Sequence, residues 1–472
     1  MTSTASAIRT AAIANLGCKV NQSEMESAAR LLRERGVSVV DGDAPADLVL
    51  INTCTVTAVA DAKSRQKVRR ARRANPGADI LVTGCAVQVG RDGFQEADSR
   101  ARLIDNRAKD GLLAELEMLV GPVGGTAHEG VLRRPLPTLS GVEIAGVADG
   151  RASVERTRAF VKVQDGCSFF CTYCIIPAER GPERSLTPET VLRDVRRALR
   201  AGHREIVLTG INIGTYDGGW SERGFRGSHT RSRMTLAELV RLILDDTAVE
   251  RIRLSSIEPQ HVDDALIRVW SDGAPRTLPH VHLPLQSGED GVLRRMGRRY
   301  LSADYARIVH AVREAIPGVA IHGDVIAGFP TEDDAAFEGS VAFIRSIDFA
   351  GLHVFRYSAR PGTAAVRMTG QVDEPTRKRR AAILLELAAR ARTRRARSAV
   401  GTQTDVLFET RLADGRWAGH ATDHVLVAAA PPSERLLENA IGRVAVERVD
   451  PSLPDRVLGR VVSVSYGDTD GR

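Results

Sequence analysis

The spacing of apolar and polar positions divides this chain into stretches with different rhythms. From residue 8 to about 120, short apolar runs alternate with segments of helical periodicity. Residues 47–53 (DLVLINT) and 79–84 (DILVTG) are compact apolar runs, the pattern of strands buried on both faces; residues 11–17 form a weaker third. Residues 24–35 and 59–74 repeat apolar positions at helical spacing. Strands alternating with helices predict a parallel α/β sheet. Residues 121–150 lose this periodicity and gather Gly and Pro, which predicts a linker.

From 151 to about 397 the alternation returns on a larger scale. Apolar runs at 159–163, 205–209, 251–255, 281–285, 320–326 and 351–357 are separated by helical stretches such as 188–201, 236–244 and 335–347. Six such units predict a partial (β/α)6 barrel with its working face at the strand C-termini. Residues 218–233 (GGWSERGFRGSHTRSR) interrupt the pattern as a surface insertion. After a basic helix near 377–397, residues 398–466 carry strand patterns at 404–409, 424–428, 442–449 and 456–464. These predict a small all-β module, barrel-like in kind. The expected fold class is α/β, with a parallel-sheet domain at 8–120, a linker at 121–150, a barrel at 151–397 and the β module at 398–466.

Composition adds little to this picture. The 472 residues are 43% hydrophobic and 26% charged, as in a globular chain. No apolar run reaches the roughly 18 residues of a membrane span, and the first residues lack a signal-peptide core. The expectation is a cytoplasmic chain with no membrane partner. The net charge of +7 matters only where it clusters. Lys63, Arg65, Lys67, Arg69, Arg70, Arg72 and Arg73 crowd one predicted helix; Arg377, Lys378, Arg379 and Arg380 open another. Many of these belong to solvated helix faces, but Arg and Lys also supply the salt-sensitive part of RNA binding.

The six cysteines carry the chemistry. Residues 164–185 read QDGCSFFCTYCIIPAERGPERS, placing Cys167, Cys171 and Cys174 as C-x-x-x-C-x-x-C just after the first barrel strand. Three thiolates on one loop can hold an iron–sulfur cubane and leave one iron open for a ligand. Cys18, Cys54 and Cys85 each follow one of the N-terminal strands. In an open parallel sheet the strand carboxyl ends share one edge, where ligands bind, so these three would converge. Taken singly, each is as readily a buried thiol acting as a small hydrophobe. Zinc is the other rival, although no fourth His or Cys accompanies either set.

The cysteine loop resembles that of the radical S-adenosylmethionine (SAM) superfamily. LGCKVNQ at 16–22, LTGINIGTY at 208–216, HLPLQSG at 282–288, GFP at 328–330 and FRYSARPGT at 355–363 stand with it in the order found in the methylthiotransferases. The likeness extends over nearly the whole chain, with a C-terminal module similar to a TRAM RNA-binding domain. LGCKVNQ and CTYCIIPAERGPERS most resemble the branch acting on threonylcarbamoyladenosine in tRNA. The isopentenyladenosine branch, the ribosomal-protein aspartate branch and a non-catalytic metal-dependent RNA binder are the alternatives.

The resemblance implies two 4Fe–4S clusters: one on Cys167, Cys171 and Cys174 that binds SAM, and an auxiliary one on Cys18, Cys54 and Cys85. It also implies tRNA as partner, together with an electron donor and a sulfur source that it does not name. Tyr173, Gly210, Asn212, Glu258, Gln286 and Ser287 are the expected SAM contacts. Arg69, Arg70, Arg73, Arg377 and Arg380 are the expected RNA contacts, with Phe408, Trp417 and His420 as candidates for base stacking and Arg184 and Arg356 for carboxylate or phosphate. Two departures from the family pattern stand out. Thr331 occupies a usual glycine position after GFP, and Ala178–Glu179 replaces an aromatic–small pair.

Overall fold

The computed structural model describes residues 8–106, 111–121, 157–219, 233–432 and 437–467. The expected linker beyond residue 121 and most of the 218–233 insertion lie outside them. The N-terminal sheet has five parallel strands in the order Ser38–Asp41, Thr10–Asn15, Leu48–Thr53, Asp79–Gly84, Arg102–Ile104. Leu48–Thr53 is buried at every position. Ala11, Ile13, Leu48 and Leu50 pack on one face with Met25 and Leu32, while Ala12, Val49 and Ile51 pack on the other with Val68 and Phe94. Both faces are therefore apolar, which is why these strands read as unbroken runs. The edge strands, with four and three residues and mostly part-exposed, leave no such run.

Helix Lys19–Glu34 begins five residues before its expected start, capped by Cys18. Its first turn is polar yet buried: Asn21, Gln22 and Ser23 are all enclosed. Hydrophobic periodicity cannot register a turn that buries hydrogen-bonding groups. Gly84 has φ 103°, and a Cβ there would lie 2.4 Å from Asn52 Oδ1 and from the Thr53 carbonyl. Only glycine lets the chain turn there to present Cys85.

The central domain contains two parallel three-stranded sheets, Arg158–Lys162, Glu205–Thr209, Arg251–Leu254 and His280–His282, Ala320–Ala327, Gly351–Arg356. Single bridges from Ile252 to Thr277 and Ser256 to His282 join them into an incomplete barrel. Alternation along the strands sorts the side chains. Val161, Leu208, Ile252, Val281, Ile321 and Leu352 face the surrounding helices in the main core. The opposite positions line the lumen largely with polar groups, with Phe160 and Val207 among them. Arg158 pairs with Glu409 at 2.9 Å, and Arg251 and Arg253 share Glu205 at 2.9 Å each. Higher up, Asp324 accepts from His282 at 2.8 Å and His353 at 3.0 Å.

The C-terminal module is a closed five-stranded barrel. Its second strand, Trp417–Ala421, is missing from the sequence reading because WAGHA is short and rich in small residues. This module closes the lower end of the lumen: Arg251 donates to the His420 carbonyl, Arg253 donates to those of Ala421 and Thr422, and His280 stacks on His424 at 4.7 Å. Helix Glu374–Ala399 runs between the two, held by ion pairs from Arg392 to Asp455 and Arg395 to Asp423. The N-terminal domain covers the upper end, with Lys162 paired to Glu24 at 3.4 Å and Ala58 N–H donating to Ser358 Oγ at 3.1 Å.

Candidate cluster and cofactor site

The 164–185 loop is a closed unit. Gln164 and Asp165 pair antiparallel with Ser185 and Arg184, and Cys167 N–H donates to the Gly181 carbonyl at 3.0 Å. Gly166 has φ 75°, and a Cβ on it would overlap the Pro182 carbonyl at 2.0 Å. From the barrel side, Thr172 is held by the Met296 and Arg295 carbonyls at 2.9 and 2.8 Å. These contacts turn the three sulfurs toward one another at the C-terminal face of the strands. Burial is the main cause pushing Cys167 up to about 11 and Cys174 up to about 12, and the neighbouring cysteines add to it.

The key partner of this loop escapes sequence reasoning. Arg298 donates to Cys171 Sγ at 3.3 Å and Tyr173 Oη at 3.4 Å, and its other terminal nitrogen pairs with Glu258. It lies in LRRMGRRY, where nothing distinguishes one inward arginine from three outward ones. Tyr173 meets Phe329 edge-on at 6.3 Å, which places it beside the cysteines. At Gly210 a Cβ would meet the Gln164 carbonyl at 2.9 Å and Oε1 at 3.0 Å. The close approach there is to Gln164, whose Oε1 accepts the Ile211 and Asn212 N–H groups at 3.0 and 2.8 Å. Asn212 is buried and, among the described residues, neither atom of its side-chain amide has a partner, which leaves the amide available to a ligand. Gln286 contributes backbone bonds to the Asp324 carbonyl and Ile326 N–H, with φ 66°. Ser287 Oγ accepts from Glu289 N–H at 3.2 Å, a turn-forming bond.

The second cysteine set lies at the domain interface, tied to the loop that carries the first. Its three strands are adjacent in the sheet, so Cys18, Cys54 and Cys85 converge on one edge, close enough for each to raise the thiol of Cys54, which burial carries to about 12. Cys18 donates to Asn21 Oδ1 at 3.2 Å, and Asn106 Nδ2 donates to Cys85 Sγ at 3.5 Å. Asn21 is itself held by Asn52 at 2.6 Å and by Arg180 at 2.6 Å. Arg180 belongs to the other cysteine loop and is also tied to Asp165 at 2.8 Å. One guanidinium therefore connects the two sulfur sets.

None of the six cysteines forms a disulfide among the described residues. Gathering half-buried thiols in threes with few hydrogen-bond donors is costly as it stands, and cations that convert them to thiolates would relieve that cost. Each donor set is sulfur only and three-fold, which suits an iron–sulfur cluster with one open iron.

Two of the expected departures are visible. Thr331 has φ 73°, a left-handed conformation strained for a β-branched residue. Glu179 is enclosed next to Arg180, and neither carboxylate oxygen has a hydrogen-bond partner. Burial lifts its carboxyl to about 8 against the pull of Arg360 and Arg180.

Several expected RNA contacts are corrected. Arg380 is 3% exposed and donates to the Glu332 carbonyl and Asp334, so it is a structural cation. Arg377 donates to the Tyr357 carbonyl and pairs with Glu374. Lys67 and Arg72 are paired with Asp43 and Asp98. Arg69, Arg70 and Arg73 are exposed. Phe408 and Trp417 are buried in the core of the β module, unavailable for stacking, and His420 bonds Glu409. Arg356 pairs with Glu374, and Arg184 lies 4.0 Å from Asp165.

The lumen also holds a histidine cluster that the sequence reading passes over. His280, His322 and His424 each bring a nitrogen within 4.8 Å of the others. Burial, neighbouring imidazoles and Arg253 hold all three well below the usual histidine range. A guanidinium alongside and no carboxylate among them disfavour a cation there, and the three rings pack as the barrel floor. Lys19, next to Cys18, reaches the same lumen. Burial, then Arg158, lowers its amine to about 8.

A partial parallel barrel whose first strand runs into a C-x-x-x-C-x-x-C loop defines a radical SAM protein. Comparison with known proteins agrees: residues 161–344 match the Radical SAM superfamily, and residues 10–104 match the uncharacterized protein family UPF0004. The threonylcarbamoyladenosine tRNA methylthiotransferase MtaB of Bacillus subtilis (strain 168) is 39% identical over 385 residues, 80% of each chain. The tRNA-2-methylthio-N(6)-dimethylallyladenosine synthase of Maricaulis maris (strain MCS10) is 31% identical over 446 residues, 92% of this chain and 94% of the other. Among solved structures, the radical SAM methyltransferase TsrM of Kitasatospora setae, with cobalamin and a 4Fe–4S cluster bound, aligns with a TM-score of 0.50. It is 15% identical, covers 76% of this chain and 77% of its own, and speaks to the fold alone. The chain belongs to the radical SAM methylthiotransferase family. Its cofactors are SAM and 4Fe–4S clusters.

Proposed function

We infer that this chain is a tRNA methylthiotransferase that places a methylthio group on carbon 2 of N6-threonylcarbamoyladenosine beside the anticodon. The observation that carries the reading is the pair of three-cysteine sets facing one interface, linked through Arg180 and Asn21. The relatives named for this substrate support the branch, at up to 39% identity. In this reading Cys167, Cys171 and Cys174 hold the cluster that binds SAM, and Cys18, Cys54 and Cys85 hold the auxiliary one. Reductive cleavage of SAM, which generates the radical, is the chemistry the bound cofactors supply. The protein's own part is positioning. Arg298 keeps Glu258 and the cysteine loop in register, Asn212 offers its free amide to SAM, and the two covering domains exclude water. Exposed Arg69, Arg70 and Arg73 supply sequence-independent attraction for the RNA backbone. The working units are residues 8–120, 151–397 and 398–466.

Anaerobic reconstitution tests this. About eight irons per chain, with SAM cleavage and methylthio transfer to threonylcarbamoyladenosine in tRNA, is the expected result. Replacing Cys167, Cys171 and Cys174 by Ala should abolish cleavage; replacing Cys18, Cys54 and Cys85 should stop sulfur insertion while cleavage continues. Zinc in place of iron, or no SAM cleavage, would sink the proposal.

A further inference from the structure

Among the described charged groups of the barrel lumen, Lys19 stands without a partner. Arg158 has Glu409, Arg251 and Arg253 have Glu205, and Asp324 has His282 and His353. Lys19 makes no hydrogen bond or ion pair among the described residues. Its side chain leaves the first turn of helix Lys19–Glu34 and comes within electrostatic reach of Arg158, Arg253 and Asp324. The residue is part-buried where its helix meets the barrel.

An ammonium held among guanidiniums, whose carboxylate within reach, Asp324, is already shared by two histidines, is under-compensated until a second anion arrives. The arrival of a carboxylate would convert that cost into a charge-assisted hydrogen bond. Position narrows the choice of anion. Lys19 adjoins Cys18 and shares the lumen with Asp324, Arg158 and Arg253, so whatever it holds lies inside the barrel beside the N-terminal sulfur set. Backbone phosphates do not reach such a place while the base occupies the mouth. A threonylcarbamoyl arm ends in a carboxylate; an isopentenyl arm carries no charge.

We propose that the Lys19 ammonium binds the threonyl carboxylate of the substrate nucleoside and thereby selects it over uncharged adenosine modifications. This rests on the functional reading above. It makes Lys19 a specificity-determining residue that anchors the arm of the base opposite the reacting carbon.

The test uses reconstituted full-length enzyme and two anticodon stem-loop RNAs. One carries threonylcarbamoyladenosine, the other its threonyl methyl ester, which keeps the shape and removes the charge. The wild type should prefer the acid by about 10- to 100-fold in kcat/KM, the span of one charge-assisted hydrogen bond. In Lys19→Gln that preference should collapse toward unity, and Lys19→Arg should restore part of it. A Lys19→Gln enzyme that still discriminates acid from ester would overturn the proposal. So would a variant whose only change is a raised KM for SAM, which would assign the ammonium to the carboxylate of SAM. Loss of iron from the auxiliary site alone would assign it to the cluster's charge. A wild type that modifies neither RNA would refute the functional reading itself.

Discussion

Arg298 offers the sharpest test of how the SAM-side loop is held. Its guanidinium is 2% exposed and serves Glu258, Cys171 and Tyr173 together. Arg298→Met keeps the stem and removes the charge, leaving the Glu258 carboxylate enclosed with no cation beside it. Breaking a buried pair from one side costs about 3–5 kcal/mol. For a domain of this size 1 kcal/mol moves Tm by roughly 2–4 °C, so the lower figure corresponds to roughly 6–12 °C. Glu258→Gln should cost less, because a neutral amide still accepts from Arg298. The double variant Arg298→Met/Glu258→Gln should recover part of the loss, since no unpaired charge remains. Anaerobic calorimetry of all four proteins gives the cycle, and the rate of 5′-deoxyadenosine release reports the same contacts at the cofactor. Shifts in Tm that simply add, or a single variant within 2 °C of wild type, would refute the assignment of Arg298 as the counter-ion of Glu258.

Three further outcomes follow from the same contacts. Thr331→Gly should stabilise the chain by about 1 kcal/mol, by relieving a left-handed φ of 73°, read as a higher Tm. Arg380→Gln should lower Tm without altering the salt dependence of tRNA binding, because its guanidinium is spent inside the fold. Arg69→Gln should do the reverse and reduce the slope of log affinity against log salt by about one. Glu179 titrates from an ordinary 4.5 up to about 8 on folding, so the folded chain retains a proton that the unfolded chain releases. The stability it contributes is whole below pH 4.5 and is lost as pH rises toward 8. Against Glu179→Gln, the wild-type Tm should therefore fall across that window; parallel profiles would show that Glu179 is ionised throughout.

The parts of the fold that can be read in the sequence are those that bury apolar surface on both sides. DLVLINT and DILVTG announce their strands, and the cysteine after each announces the shared edge. The lumen of the central barrel does the opposite. Arg251, Arg253, His280, His282, His322 and Asp324 alternate with apolar residues as if facing solvent, but they face one another, and alternation is blind to the difference. Basic runs mislead for a related reason. EPTRKRRAA shows four cations in a row without telling that the helix turns Arg380 inward and Arg379 outward. Departures from a family pattern prove more informative than conformity: Thr331 and Glu179 mark a strained turn and an unpartnered buried acid.

The closed floor of the central barrel governs traffic. With the C-terminal module seated under the strands and His424 stacked against His280, neither SAM nor a substrate base can enter the lumen from below. Entry from the opposite end would impose an order. SAM held against the cysteine loop would enter before the base, and its fragments would leave after the RNA has lifted away. Turnover would then be paced by release of the modified RNA, and a second SAM could enter only between visits of the same anticodon loop.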